Sequence, residues 1–169
     1  MTSEKGTTMQ VEMSIKGIMV DPTTNMPIVL LHDAERQRVL PIWVGIFEAN
    51  AIGSQIENVS TPRPMTHDLL RNIIHDLRAH VEKIVINEIK NNTFYASIHL
   101  DRDGEQIAID ARPSDAIALA LRVKAPIFAE DNVIDNAKSL ETTPDKGDSE
   151  RLQRWLEELD PDELGKYKM

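Results

Sequence analysis

Residues 110–116, Asp-Ala-Arg-Pro-Ser-Asp-Ala, decide how this chain folds, because they join a predicted strand to a predicted helix. The strand spans residues 106–110 and follows a hairpin signal at Asp103-Gly104. The helix spans residues 115–123 and is apolar on nearly every face, which is typical of a buried helix. A charged side chain at the start of a buried helix costs free energy unless it is paired with an opposite charge or takes part in binding or catalysis. We therefore expect chemistry at this junction.

A second helix start repeats the pattern. Residues 63–68, Arg-Pro-Met-Thr-His-Asp, again give Arg-Pro, then a hydroxyl residue, then an aspartate. Thr66 is the predicted N-cap of this helix. Apolar residues then recur at helical spacing and predict a buried stripe. They are Leu69, Leu70, Ile73, Ile74 and Leu77.

The remaining pattern predicts strands more often than helices. Alternation and short apolar runs predict a three-stranded meander, in which Pro41 favours an edge position or a bulge. Asn91-Asn92 predicts a hairpin turn. The predicted strands are 9–20, 28–32, 39–44, 81–90, 93–100, 106–110 and 126–128, and the further helices are 46–58 and 131–137. The fold class expected is α+β, with a mixed, largely antiparallel sheet flanked by helices in a single compact domain.

Composition changes near both ends of the chain. Residues 1–8 are polar and are predicted to be disordered, and residues 9–137 form the predicted domain. Residues 138–169 are predicted to be a polar linker followed by a short amphipathic helix, 151–159. This C-terminal helix has three possible docking partners, which are its own domain, a second copy of the chain and another protein. The sequence does not decide between them.

Charge and cysteine content limit the function. The chain has 169 residues, no cysteine and a formal net charge of −9. Thiolate chemistry and disulfides are thereby excluded, and a nucleic-acid function would need a local cationic patch or bridging metal ions. No apolar run approaches the ~20 residues of a membrane helix. We expect a protein without a membrane association and with a cytoplasmic location.

The two helix starts could bind phosphate. Helix N-termini present free N–H groups and the positive end of the helix dipole, and Arg63 and Arg112 could add bidentate contacts. His67 could move a proton near neutral pH. These groups together would suit hydrolysis of a phosphodiester.

The aspartates admit two interpretations. Asp68, Asp110 and Asp115 could hold Mg²⁺ or Mn²⁺, since these hard cations prefer oxygen ligands. Alternatively, Arg112 pairs with Asp110 or Asp115 in a purely structural role, since an acidic residue is favoured in the first turn of any helix.

Four ordered motifs resemble one family. They are Pro41-Ile42-Trp43-Val44-Gly45, Glu48-Ala49, residues 63–69 and residues 110–120. Over residues 9–137 the chain resembles the bifunctional nuclease domain family of bacteria, archaea and plants. The resemblance implies a compact α+β fold, a homo-oligomer (a dimer or higher) and nuclease activity on DNA and RNA. The motif residues implied as catalytic are Glu48, Arg63, His67, Asp68, Asp110, Arg112 and Asp115.

Two functions follow from these observations. The first is a metal-assisted nuclease that uses the residues of the two helix starts. The second is a non-enzymatic assembly or regulatory module that binds a protein partner, in which the same residues form structural ion pairs. The crowding of ionisable residues favours the first, and the acidic net charge favours the second.

Overall fold

A mixed seven-stranded sheet organises the part of the chain that the computed structural model describes, which is residues 8–33, 35 and 38–140. The strands are β1 (Gln10–Val20), β2 (Pro27–Asp33), β3 (Arg38–Trp43), β4 (His80–Lys90), β5 (Thr93–Arg102), β6 (Glu105–Ala111) and β7 (Ile127–Glu130). The helices are α1 (Ile46–Ile56), α2 (Thr66–Asp76), α3 (Pro113–Val123) and α4 (Asp131–Leu140). The α+β class with a largely antiparallel sheet is confirmed.

The strand order is β3-β2-β1-β7-β4-β5-β6. β7 lies parallel to β4, and all other neighbours are antiparallel. The predicted meander of β1, β2 and β3 is confirmed, and Pro41 lies in the edge strand β3, where a missing N–H is tolerated. Asn91 and Asn92 both have positive φ, as the tight turn between β4 and β5 requires.

α3 is the central helix of the core. Its residues 116–120 are at most 1% exposed, because α1 and α2 pack beside it while β4 and β5 lie beneath it. The prediction of a buried helix is confirmed, and it begins two residues earlier than expected. Pro113 opens it, since proline is favoured in the first turn, where its missing N–H is not needed.

The predicted buried stripe of α2 is wrong. No residue of α2 is fully buried, and Leu69, Ile73 and Leu77 remain 52%, 47% and 65% exposed. Only Leu70 and Ile74 pack partly against the core. Helical spacing shows that one face is apolar but not what covers it, and α2 lies at the outer side of α3.

The predicted N-cap of α2 is also wrong by one residue. Met65 occupies the cap position, and Thr66 is the first helical residue. The Met65 amide donates to Asp68 Oδ2 at 3.0 Å, so the carboxylate three residues on satisfies the amide of the cap residue, as the acidic residue of a capping box does.

The predicted C-terminal helix, 151–159, lies outside the described residues, and so does nearly all of the N-terminal segment, 1–8, for which disorder is predicted. The proposed boundaries at residues 8 and 138 therefore stay predictions. Within the described ranges, every helix is too short or too polar to cross a membrane.

Candidate functional site

The starts of three helices meet through a chain of four ionisable side chains. Arg112 Nη2 lies 3.0 Å from Glu48 Oε1 and 2.8 Å from Asp115 Oδ2. The other Asp115 oxygen, Oδ1, lies 2.9 Å from His67 Nε2. Since Glu48 belongs to α1, Arg112 caps α3 and His67 belongs to α2, residues far apart in sequence form one network. The sequence leaves open whether the two Arg-Pro helix starts meet in space, and this contact shows that they do.

Arg112 is the charged centre of this network. The hydrogen bond that Arg112 donates to Asp115, together with the charge of Asp115 and the contact with Glu48, raises the pKa of Arg112 above its ordinary value. The guanidinium therefore stays charged, and 65% of its side chain is exposed. Of the two pairings considered for Arg112, the one with Asp115 is observed. An exposed guanidinium that is held in place can bind a phosphate through charge-assisted hydrogen bonds.

Glu48 is placed by the glycine before α1. Its carboxylate folds back over Gly45, where a Cβ would collide with it. Gly45 is the N-cap residue of α1 and has an extended backbone that any residue could adopt. A side chain at position 45 would therefore push the Glu48 carboxylate out of its observed place, although the backbone itself would tolerate it.

Asp68 belongs to a second, separate contact. Its Oδ1 accepts a hydrogen bond from Arg122 Nε at 2.8 Å, and Arg122 Nη1 also donates to the Ala118 carbonyl. Burial of Asp68 opposes its ionisation, but the Met65 amide and the Arg122 guanidinium outweigh this and lower its pKa. The Arg122 side chain is only 3% exposed. This pair clamps the first turn of α2 to the last turn of α3.

Arg122 is a site neighbour that sequence reasoning missed. It interrupts an otherwise apolar helix, and a lone charge in a buried helix indicates an ion pair. Its partner could not be identified from the sequence, because Asp68 lies 54 residues away.

The other two predicted site residues, Asp110 and Arg63, take no part in these ion pairs. Asp110 is exposed and lines the same groove as His67, Arg112 and Asp115. Arg63 is exposed in the loop before α2, and its carbonyl accepts a hydrogen bond from the Thr61 hydroxyl. Neither side chain has a partner of opposite charge among the ion pairs of the described residues.

The three predicted metal ligands do not converge as they are arranged. Both oxygens of Asp68 and both oxygens of Asp115 are occupied by protein donors. Asp68 also lies outside the groove that Asp110 and Asp115 line. In the part of the chain that is described, no three His, Asp or Glu side chains are grouped so that they could hold a metal ion. This donor set does not fit a divalent cation without rearrangement.

A comparison with protein families gives the same assignment as the four motifs. The profile of the bifunctional nuclease domain matches residues 29–142, which is more than half of the chain. The chain belongs to the bifunctional nuclease domain family. The matched region contains every residue of the network between Glu48, His67, Arg112 and Asp115.

Relatives of this bifunctional nuclease domain occur in bacteria and plants. An uncharacterized protein of Mycobacterium tuberculosis is 40% identical over 157 residues, covering 93% of this chain and 90% of the relative. Bifunctional nuclease 1 of Oryza sativa is 27% identical over 73% of this chain. Bifunctional nuclease 2 of Arabidopsis thaliana is 26% identical over 69% of it. The matched segment is 39% of the length of each plant protein.

Proposed function

We propose that this protein is a nuclease that hydrolyses phosphodiester bonds in RNA and DNA at the Glu48–Arg112–Asp115–His67 network. The observation that carries the proposal is the contact of 2.9 Å between His67 Nε2 and Asp115 Oδ1. It places a group able to transfer protons beside an exposed guanidinium. The family supports the same activity, since its plant relatives are named bifunctional nucleases.

His67 is the proposed general base. An ionised carboxylate only accepts hydrogen bonds, so Nε2 of a neutral His67 carries the proton that Asp115 binds. Nδ1 is then left with its lone pair, and it makes no hydrogen bond within the described residues. It takes a proton from water as the water oxygen bonds to phosphorus. The bond from phosphorus to the leaving sugar oxygen breaks, and solvent protonates that oxygen. Asp115 stabilises the imidazolium that forms.

Substrate binding rests on cations and one exposed ring. Arg63 is an exposed guanidinium suited to bidentate contact with phosphate. Arg112 is also exposed, but its Nε and Nη2 contact Asp115 and Glu48, so Nη1 is the group that it can turn to a phosphate. Phe47, next to Glu48 at the start of α1, is 82% exposed. Single-stranded nucleic acids stack bases on such rings. A local site of this kind lets a protein of net charge −9 bind a polyanion.

Dependence on Mg²⁺ or Mn²⁺ stays a prediction, as do the homo-oligomer, the protein contact of the C-terminal helix and the cytoplasmic location. Asp110, which is exposed beside the network, is the carboxylate best placed to accept a cation without breaking an existing bond.

The test compares two histidines of the same helix. Labelled single-stranded RNA and DNA are incubated with the wild type, with His67→Gln and with His75→Gln, each in Mg²⁺, Mn²⁺ or EDTA. His75 is the matched control, because it also contacts an aspartate, Asp76, but is 87% exposed and lies outside the network. We expect His67→Gln to lose activity by roughly a hundredfold or more and His75→Gln to retain it.

Equal loss or equal retention of activity in both variants would contradict the assignment of His67. If EDTA abolishes activity and Mg²⁺ restores it, the protein must have a cation site. The carboxylates in their observed contacts do not form one. Failure of all three proteins to cleave any substrate would contradict the proposed function itself.

The alternative is a non-enzymatic assembly or regulatory module. The observation that favours it is that Asp68 and Asp115 are satisfied by protein partners on both oxygens, as in structural ion pairs. If the protein is such a module, His67→Gln lowers the free energy of unfolding and changes no cleavage activity.

A further inference from the structure

A cavity lies beside β1, apart from the Glu48–Arg112–Asp115–His67 network. It encloses about 470 Å³, which is the size of a pocket for a small molecule. β1 pairs with β7 through residues 10–13 and with β2 from Ser14 onward. The cavity lies where β1 passes from one neighbour to the other, since residues 9–14 and the end of β2 line it. None of its described lining residues belongs to the network.

Two carboxylates of this cavity have no charged partner within the described part of the chain. Glu12 and Glu35 are exposed, and neither forms an ion pair with another described residue. No lysine or arginine is among the described residues that line the cavity. A cation is therefore attracted to this cavity, whereas a phosphate or another anion is repelled.

The cations nearby do not cancel this negative charge. Arg38 Nη2 lies 3.0 Å from Asp33, the third carboxylate of the cavity wall. The same guanidinium also contacts Asp131 and Asp135 of α4. Lys83 donates a hydrogen bond to the side chain of a glutamine in the wall. These three aspartates and the two glutamates of the wall therefore stand against two cations.

The acidic groups of the wall do not converge on a single point. Across the described residues, no three His, Asp or Glu side chains are grouped so that they could hold a metal ion. A divalent cation needs several oxygen ligands around one centre, and this wall does not offer them. Separated carboxylates instead suit a molecule whose positive charges are themselves separated.

Apolar side chains line the same cavity as the carboxylates. They are Met9, Val11, Met13 and Phe128. Met9 is 59% exposed and Met13 is 4% exposed, so the apolar wall extends from the surface toward the core. Such a wall stabilises a hydrocarbon segment, because their contact removes apolar area from water. Flexible methionine side chains also adapt to an occupant of irregular shape.

One ring nitrogen in the wall has no hydrogen-bond partner. His32, the cross-strand neighbour of Ser14, lines the cavity. Its Nδ1 is shielded from solvent and makes no hydrogen bond to any described residue. A buried polar atom without a partner costs free energy. A neutral imidazole has one nitrogen that accepts a hydrogen bond, and an ammonium group is a donor that suits it.

We propose that this cavity binds a linear aliphatic polyamine. Its ammonium groups pair with Glu12 and Glu35, and its methylene chain lies along Met9 and Met13. This occupant has the separated positive charges that the carboxylates favour and the hydrocarbon that the apolar wall favours. The site is separate from the network, so the proposal does not depend on nuclease activity.

The test is isothermal titration calorimetry of spermidine with the full chain at physiological ionic strength. The variants are Glu12→Gln and Glu35→Gln, with Glu57→Gln as the control. Glu57→Gln removes the same charge at the exposed C-cap of α1, outside the cavity. We expect saturable binding of one spermidine by the wild type and by the control. Each cavity variant should weaken binding by roughly tenfold, because it removes a charge-assisted hydrogen bond.

A second comparison tests the need for separated charges. Putrescine and butylamine differ by one ammonium group, and butylamine should bind at least tenfold more weakly. Equal binding of the two amines would overturn the proposal, as would the absence of saturable spermidine binding. Equal weakening in Glu57→Gln would show that the net charge of the protein, not the cavity, attracts spermidine. Displacement of spermidine by Mg²⁺ at a comparable concentration would show a metal site instead. Unchanged thermal unfolding without ligand shows that the variants fold.

Discussion

His67 Nε2 lies 2.9 Å from Asp115 Oδ1, and this contact joins the first turns of two helices across 48 positions of sequence. Asp115 in turn fixes Arg112, so one carboxylate orients both the proposed base and the proposed phosphate ligand. Chemistry at this site should therefore be more sensitive to Asp115 than to any other carboxylate of the protein.

Asp115→Asn should lower kcat by roughly a hundredfold, because an amide cannot stabilise the imidazolium of His67. The Asp115 side chain is 31% exposed, so the free energy of unfolding should change by no more than about 1 kcal/mol. Single-turnover cleavage and thermal unfolding measure the two effects. Asp76→Asn is the matched control, since Asp76 also contacts a histidine but is 82% exposed. Full activity of Asp115→Asn would reject its assigned role.

Arg112→Lys should raise KM for nucleic acid more than it lowers kcat. Lysine keeps the charge but lacks the planar fork that reaches Glu48 and Asp115 together. We expect binding to weaken by about tenfold, which is about 1.4 kcal/mol, and the melting temperature to change little because the side chain is 65% exposed. Fluorescence-anisotropy titration with labelled single-stranded RNA measures the affinity. A large fall in melting temperature with unchanged affinity would favour the structural role of Arg112.

The sequence predicts the sheet and the central helix well, because those features are local. The alternation of apolar and polar residues predicts the strands, and Asn91-Asn92 predicts a hairpin turn. The absence of a polar face predicts that α3 is buried. The seven motif residues stay a prediction, which rests on the family resemblance and on the free energy that an unpaired charge costs at the start of a buried helix.

What the sequence does not predict depends on contacts between distant elements. The pairing of Asp68 with Arg122 joins residues 54 positions apart, so Asp68 appears in the sequence as a metal ligand when its oxygens are in fact occupied. The exposure of Leu69, Ile73 and Leu77 depends on which neighbours α2 has, and helical spacing contains no information about that.

Asp21, which is not part of the Glu48–Arg112–Asp115–His67 network, should make the protein sensitive to acid. Burial opposes its ionisation, but hydrogen bonds from Trp43 Nε1 and from Thr23 outweigh this and lower its pKa to about 2. A depressed pKa adds stability above the unfolded value near 4, and this is lost as the pH falls toward 2. Asp21→Asn should lower the free energy of unfolding at pH 7 by roughly 2 kcal/mol.

In Asp21→Asn the free energy of unfolding should fall less steeply than in the wild type as the pH is lowered. Urea unfolding of the wild type and of Asp21→Asn at a series of pH values between neutrality and the acid transition measures the difference. The two curves should converge in acid, because the wild-type carboxyl is then protonated too. Parallel curves across the whole range would show that Asp21 acts through packing rather than through its charge.

The contact between Asp68 and Arg122 should contribute to stability and not to catalysis. Asp68→Asn leaves a guanidinium that is 3% exposed without a charged partner, and we expect a loss of about 3–5 kcal/mol in the free energy of unfolding. Arg122→Met together with Asp68→Asn removes both charges and should recover most of that loss. A double-mutant cycle by urea unfolding measures the coupling. The double variant, assayed well below its melting temperature, should cleave at the wild-type rate, whereas a metal ligand at Asp68 would make it inactive.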